Sequence, residues 1–339
     1  MLFRHISPVF DIIIRALDVN FTRTMHASEI VPGVYVAKGK FADEFGFISS
    51  YLIVDGDAAI IIDPGTAGDP GKEVLDFVKK IGLNPKSDII ALVCTHGHPD
   101  HIGGASVLRR ATGATIMIHQ KDAEMVTDPT AFIKERLRLD FAGRMKMKID
   151  TGPLRVNYRP AEVGRMLRDG DIIEVGNTAL RVIHTGGHSA GHCAFYDAQR
   201  KMLFSGDEVN NFPNDPRKFY VDLSGSLSTR SAGISRLSSL VVDYLMPSHD
   251  VPHMLGEVSL QFKEARDSII QFQDTVLSHL TARGEADLEQ MIFDIEHARS
   301  IPTPTDDYGL FTTTLEVCLR DLSHAGLVRV DGSGIWRPS

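Results

Sequence analysis

Cysteine is scarce in this chain of 339 residues: only Cys94, Cys193 and Cys318, with no CxxC pair among them. Three thiols so far apart exclude a disulfide scaffold and fit a reducing compartment, so the expected location is cytoplasmic. Long apolar runs are also missing. Residues 1–20 carry Phe3, Ile6, Phe10, Ile13, Ile14 and Leu17 at roughly helical spacing, but Asp11, Arg15 and Asp18 interrupt them. That stretch is too charged for a signal-peptide core and too short to span a bilayer, so no membrane span is expected. Residues 1–28 read instead as an amphipathic arm, packed on the body or on a second subunit of a homodimer. Positive charge is in deficit, with 36 Lys and Arg against 44 Asp and Glu and a net of −8. A negative global field does not favour nucleic acid or anionic membranes as partners.

What is present is an ordinary globular composition, 43% hydrophobic and 24% charged, in a chain long enough for one large core and a smaller unit. Residues 34–36, 50–54 and 58–62 are short apolar runs separated by Gly and Asp turns, which predicts strands. A helix is expected over 72–81, stopped by Gly82, followed by a strand over 89–93. Another strand covers 115–119, with helix from 120 onward. Strands alternating with helices predict an α/β fold, layers of sheet with helices outside.

The chemistry concentrates where the apolar strand at 89–93 runs into Cys94-Thr95-His96-Gly97-His98-Pro99-Asp100-His101. Imidazole nitrogens and a carboxylate oxygen are donors for borderline divalent metals. His96 and His98, two apart on an extended loop, fall on one side. Asp100 and His101 open the next turn and face a neighbouring point, which suggests two metals. The second half repeats the device: residues 179–183 lead into His184, His188 and His192, residues 201–204 into Asp207, and residues 241–246 into His249. Each candidate ligand follows a strand, and the ends of neighbouring strands converge in space.

In these residues the chain resembles the metallo-β-lactamase-fold hydrolases. The matching pieces are Asp63 in Ile62-Asp63-Pro64-Gly65, the His96/His98/Asp100/His101 block, His188 in a Gly-His-Ser turn, Asp207 in Ser-Gly-Asp, and His249. The resemblance runs from about residue 34 to 249 and implies an αββα sandwich of two mixed sheets, with a catalytic domain over 29–258. It implies two divalent ions, Zn by default, with Fe or Mn as alternatives. It further implies that His96, His98 and His188 hold the first and Asp100, His101 and His249 the second, with Asp207 bridging. Asp63 and His192 would then orient ligands. The implied reaction is hydrolysis by a metal-bridging hydroxide, with Asp100 as the catalytic residue that orients it and passes a proton to the leaving group. Three departures stand out: Gly186 where the family commonly has Pro, Asp250 where it often has Gly after the last His, and Asp207 where the antibiotic-degrading members have Cys. The last is similar to the glyoxalase II-like branch.

Residues 133–168 form an insertion between the second and third motifs. Ten basic residues (Lys134, Arg136, Arg138, Arg144, Lys146, Lys148, Arg155, Arg159, Arg165 and Arg168) stand against Glu135, Asp140, Asp150 and Glu162, a local net of +6. A basic lid over a metal site would draw a small anionic substrate. Expected substrate contacts are Arg144, Lys146, Lys148, Tyr158, Asn210 and Tyr220. Phe132, Leu137 and Tyr158, interleaved with the charges, would line an acyl pocket or form the lid's own core.

Residues 259–339 read as three helices (262–280, 288–295 and 311–325) and a terminal hairpin, a winged-helix-like unit without basic character, so nucleic acid is disfavoured here too. The leading expectation is hydrolysis of a thioester or ester of an anionic acyl group. The alternatives are a lactone hydrolase, weakened by Asn210 where lactonases place Tyr, a ribonuclease or phosphodiesterase, iron-dependent oxygen chemistry, and a ligand-binding regulator.

Overall fold

The side chains of β4 (Ala58–Ile62) alternate between two cores, and that alternation sets the architecture. Ile60 and Ile62 face a second sheet, while Ala59 and Ile61 face helices. The structure, a computed structural model, describes residues 28–40, 47–67, 71–138, 158–209, 220–249, 252–298 and 310–339. The expected N-terminal arm, Arg144, Lys146, Lys148, Asn210 and Asp250 lie outside the described residues.

The first sheet has seven strands in chain order: β1 (Ser28–Val31), β2 (Val34–Lys40), β3 (Phe47–Asp55), β4, β5 (Ile89–Val93), β6 (Thr115–His119) and β7 (Arg165–Leu167). Its first four strands are antiparallel and its last four parallel, with α1 (Gly71–Lys80) crossing from β4 to β5. The second sheet contains β8 (Ile172–Val175), β9 (Thr178–His184), β10 (Cys193–Asp197), β11 (Met202–Gly206), β12 (Tyr244–Pro247) and β13 (His253–Met254), with β11 and β12 parallel. Both sheets are therefore mixed.

Between them lies a core of Val36, Ile53, Ile60, Val93, Val182, Phe195, Phe204 and Met246. Tyr51 joins the layers: its ring meets Phe204 edge-on at 5.2 Å, and its hydroxyl donates to the Pro247 carbonyl at 2.5 Å. Outside the first sheet, α1, α3 (Ala105–Thr112) and α4 (Ala123–Thr127) share one core with Ile61, Leu92 and Ile116. The other faces of β9–β12 (Ile183, Ala194, Leu203, Leu245) pack in one cluster with Val258, Phe262, Ile269 and Phe272 of α6 (Gly256–Arg283).

The C-terminal helices occur in the expected order, as α6, α7 (Leu288–Ala298) and α8 (Leu310–His324), followed by the hairpin β14 (Val328–Val330) and β15 (Trp336–Pro338). Their apolar faces share the cluster that covers the second sheet. Among the described residues no helix is long and apolar enough to cross a membrane.

Candidate metal centre

Five strands, β4, β5, β9, β11 and β12, run the same way within their sheets, so their carboxyl ends gather at one edge of the sandwich. Asp63, His96, His188, Asp207 and His249 follow those five ends, and α2 (Pro99–Ile102) supplies Asp100 and His101. All seven candidate ligands are buried. Their donor atoms fall into three overlapping groups: His96, His98 and His188; Asp100, His101 and His249; and His96, His101 and Asp207, each within 4.8 Å. The third group takes one histidine from each of the others and adds Asp207. That carboxylate lies between the two triads, with Oδ2 3.4 Å from Nε2 of both His188 and His249.

Four of the five rings are turned by a partner on the far side. His101 Nδ1 sits 2.9 Å from Asp63 Oδ2, and Asp63 Oδ1 accepts the Thr95 N–H at 2.8 Å. Thr95 Oγ1 reaches His96 Nδ1 at 2.9 Å. His188 Nδ1 donates to the Tyr220 carbonyl at 2.7 Å. His98 is reversed, with Nε2 3.0 Å from Asp222 Oδ2 and Nδ1 inward, 3.0 Å from His188 Nε2. Such partners fix tautomer and ring angle, which is what a metal site requires of imidazole. Inside the ring of ligands, His96 Nε2, His101 Nε2 and Asp207 Oδ1 are buried without a hydrogen-bond partner. Buried polar atoms are seldom left so. A carboxylate among imidazoles, with no thiolate, suits divalent cations, so the clusters fit a dinuclear metal site.

The electrostatics agree with a site built for cations. Burial works to raise the Asp207 carboxyl, but His249 and His101 outweigh it and hold the group well below the usual carboxylate range. Asp100 behaves alike between His101 and His249. In return His249 is pushed up to about 10: burial opposes the shift, and Asp207 and Asp100 overcome it. Burial drives His96 and His188 well below the ordinary imidazole value, so these rings are neutral and ready to ligate.

His192 stands just outside the cluster. Its Nε2 accepts the Asp207 backbone N–H at 3.0 Å and its Nδ1 meets Thr185 Oγ1 at 2.8 Å, so it holds the Asp207 main chain. Glu208 beside it is buried, and its Oε2 accepts the His188 N–H at 3.1 Å. Burial pushes this carboxyl up to about 7 against the pull of Arg230.

The remaining expected residues divide. Tyr220 lies against the centre, its ring 5.3 Å from that of His98. Tyr158 does not: it is a core residue whose hydroxyl donates to the Met125 carbonyl at 2.5 Å. Phe132 and Leu137 join the same core, and the Phe132 ring also meets that of His98 edge-on at 5.3 Å. Among the described lid cations, three are engaged, Arg165 with Asp171 at 3.6 Å. Arg138 pairs with Glu316 at 3.0 Å. Arg136 is buried between Asp122 at 3.1 Å and Asp222 at 3.5 Å and also bonds Ser224.

Sequence reasoning passed over Asp122, Asp222 and Arg230, and counted Arg136 only as lid charge. Asp122 accepts the Gly97 N–H at 3.0 Å and the Ser189 hydroxyl at 2.7 Å, tying the His96–His98 loop to the His188 turn. Asp222-Leu-Ser-Gly reads locally as a turn, and the turn is real: Oδ1 accepts the Ser224 N–H at 2.9 Å. Nothing local shows that its second oxygen reaches His98, 124 positions away.

The Metallo-beta-lactamase superfamily matches residues 43–249, which include every candidate ligand. The chain belongs to that superfamily. Its members are typically hydrolases. Among similar solved structures are a metallo-beta-lactamase family protein from Thermus thermophilus (TM-score 0.72, 19% identity, covering 92% of this chain and 100% of that one) and a beta-lactamase domain protein from Burkholderia ambifaria (TM-score 0.67, 20% identity, 94% and 96%). Both share the fold. Similar curated proteins include an uncharacterized protein of Mycobacterium tuberculosis, 31% identical over 43% of this chain and 64% of its own length. A hydroxyacylglutathione hydrolase of Bdellovibrio bacteriovorus is 28% identical over 44% of this chain and 43% of its own. The acyl-coenzyme A thioesterase MBLAC2 of Gallus gallus is 26% identical over 52% and 63%. The chain thus spans under two thirds of the length of these curated relatives.

Proposed function

We propose that the chain is a dinuclear metal-dependent hydrolase of thioester or ester bonds acting on a small anionic acyl substrate. The observation that carries the reading is the pair of buried triads with Asp207 between them and three inward polar atoms without a hydrogen-bond partner. His96, His98 and His188 would hold one divalent ion and Asp100, His101 and His249 the other, with Asp207 shared. Zinc suits this donor set, and no thiolate argues for a softer metal. When bound, such a pair brings the pKa of a shared water towards neutrality and polarises a carbonyl oxygen.

The chain's own residues supply the rest. Asp100, with Oδ2 3.0 Å from His249 Nε2, is the carboxylate placed to take a proton and hand it to the leaving group. Tyr220 walls the side of His98, and Asp63 and Asp222 keep the rings aimed. The thioester preference rests on the Asp at position 207 and on similarity to a hydroxyacylglutathione hydrolase and an acyl-coenzyme A thioesterase. An intracellular homodimer belongs to the same proposal.

Elemental analysis, run with a panel of thioesters, lactones and phosphodiesters, tests it. About two zinc per chain with thioester cleavage is the expected outcome. One iron per chain with no hydrolysis would move the reading to oxygen chemistry.

A further inference from the structure

We infer that Arg320, on the C-terminal helix α8, is a positioning residue for the metal centre and acts through the segment 220–226. The inference rests on the reading of the site as a two-metal centre. Residues 220–226 lie in neither helix nor strand, yet they touch the first triad at several points. The Tyr220 carbonyl accepts from His188 Nδ1 at 2.7 Å, the Asp222 N–H donates to the His188 carbonyl at 3.1 Å, and the Ser226 N–H donates to the Gly187 carbonyl at 2.9 Å. Asp222 Oδ2 holds His98. Two of the three histidines of one triad therefore take their orientation from this strap.

A segment without ladder partners holds its shape only if something else satisfies its backbone. α8 supplies several of those bonds, beside Arg136, whose carbonyl accepts the Leu223 N–H at 3.1 Å, and Arg230, whose Nη1 donates to the Tyr220 carbonyl at 3.0 Å. Arg320 Nη1 donates to the Leu223 carbonyl at 3.0 Å and Nη2 to the Gly225 carbonyl at 2.7 Å, so one planar fork fixes two points on either side of Ser224. Thr314 Oγ1 accepts the Val221 N–H at 3.2 Å, one residue from each histidine partner. Asp321 accepts the Ser228 N–H at 3.0 Å and the Ser226 hydroxyl at 3.1 Å, closing the strap where α5 (Leu227–Ser238) begins. The helix itself is firmly seated, with Thr312, Thr313, Thr314, Leu315, Cys318 and Leu319 all buried. It is a rigid backing for a strap whose own hydrogen bonds are confined to the Asp222 turn.

The two triads differ in this respect. Asp100, His101 and His249 take their alignment from α2, Asp63 and the end of β12. Removing the Arg320 fork should therefore weaken one of two metal equivalents and leave the other. In Arg320→Met, measured by competition with a chromogenic zinc chelator, one equivalent is expected to bind about 10–100-fold more weakly, the range for losing a ligand-orienting partner, with the other unchanged. Arg320→Lys should recover part of the loss. Nitrogen-15 NMR of the metal-free protein should show His188 leaving the tautomer with its proton on Nδ1, a readout independent of metal.

Two zinc equivalents at wild-type affinity and an unchanged His188 tautomer would overturn the inference, as would equal loss of both equivalents with the fold intact by circular dichroism. If Arg320→Met does not fold, Thr314→Val, which removes the acceptor for the Val221 N–H and, within α8, a hydroxyl bond to the Leu310 carbonyl, must show the same one-sided weakening. Wild-type binding there overturns the inference. Failure of the wild-type chain to take up two divalent ions counts against the proposed function instead, and the NMR comparison still decides the role of Arg320.

Discussion

His98 and Asp222 meet at 3.0 Å, Nε2 to Oδ2, and this contact turns the His98 ring so that its other nitrogen faces the cluster. The remaining rings present Nε2 inward, so His98 depends on a single carboxylate for its reversed setting. Asp222→Ala should weaken metal binding about 10–100-fold. Chelator competition measures it, and wild-type affinity would show that the ring holds its orientation without help.

Asp207 is equidistant, at 3.4 Å, from a histidine of each triad. Asp207→Ala should drop metal content below two per chain and take thioester hydrolysis with it. Elemental analysis beside a turnover assay checks this, and near-full activity on any substrate would sink the two-metal account.

Arg136 separates two buried carboxylates, Asp122 and Asp222. Arg136→Met keeps the bulk of the stem and removes the counter-charge. Leaving buried charge uncompensated costs about 3–5 kcal/mol, which urea unfolding would register as a lower midpoint. A change under ~1 kcal/mol would mean that the two carboxylates find other partners or take up protons.

His119 and His184 stack at 4.1 Å with planes 5° apart, joining the ends of β6 and β9 across the sandwich. Burial, then the neighbouring His184 and Lys121, lower the His119 pKa to about 4. A histidine depressed in the folded state contributes stability that is complete above the unfolded value of about 6.5 and is lost as pH falls through about 4. The melting temperature should therefore drop between pH 7 and pH 4 more steeply in the wild type than in His119→Gln. Parallel curves would remove His119 from the account.

Much of this arrangement is legible in the residue pattern. The strands at 58–62, 89–93 and 115–119 are found where apolar, β-branched runs follow closely on Gly or Asp. The ligand-bearing turns follow strands, because a strand end is where chemistry-bearing side chains can leave a packed sheet. What escaped is also instructive. β10 is buried on both faces, so its CAFYD run shows no alternation to mark it. Helix α6 begins at Gly256, six residues before its regular apolar spacing becomes visible. Lid charge gave a count but not a use: composition cannot show that Arg136 and Arg138 are already paired. Asp222 illustrates the general limit, since a contact across 124 positions leaves no local trace.

The strap meets its neighbours largely through main-chain oxygens, at Tyr220, Leu223 and Gly225. Every amino acid carries the same carbonyl, so the lettering of this segment is free to drift among descendants while its shape is inherited. That freedom stops where side chains work, at Tyr220, Asp222, Ser224 and Ser226, and at Gly225, where an added methyl would strike the Gly187 carbonyl. A search by spelling would rate the stretch as expendable spacer, whereas a search by backbone shape would find it in chains that share few of its letters.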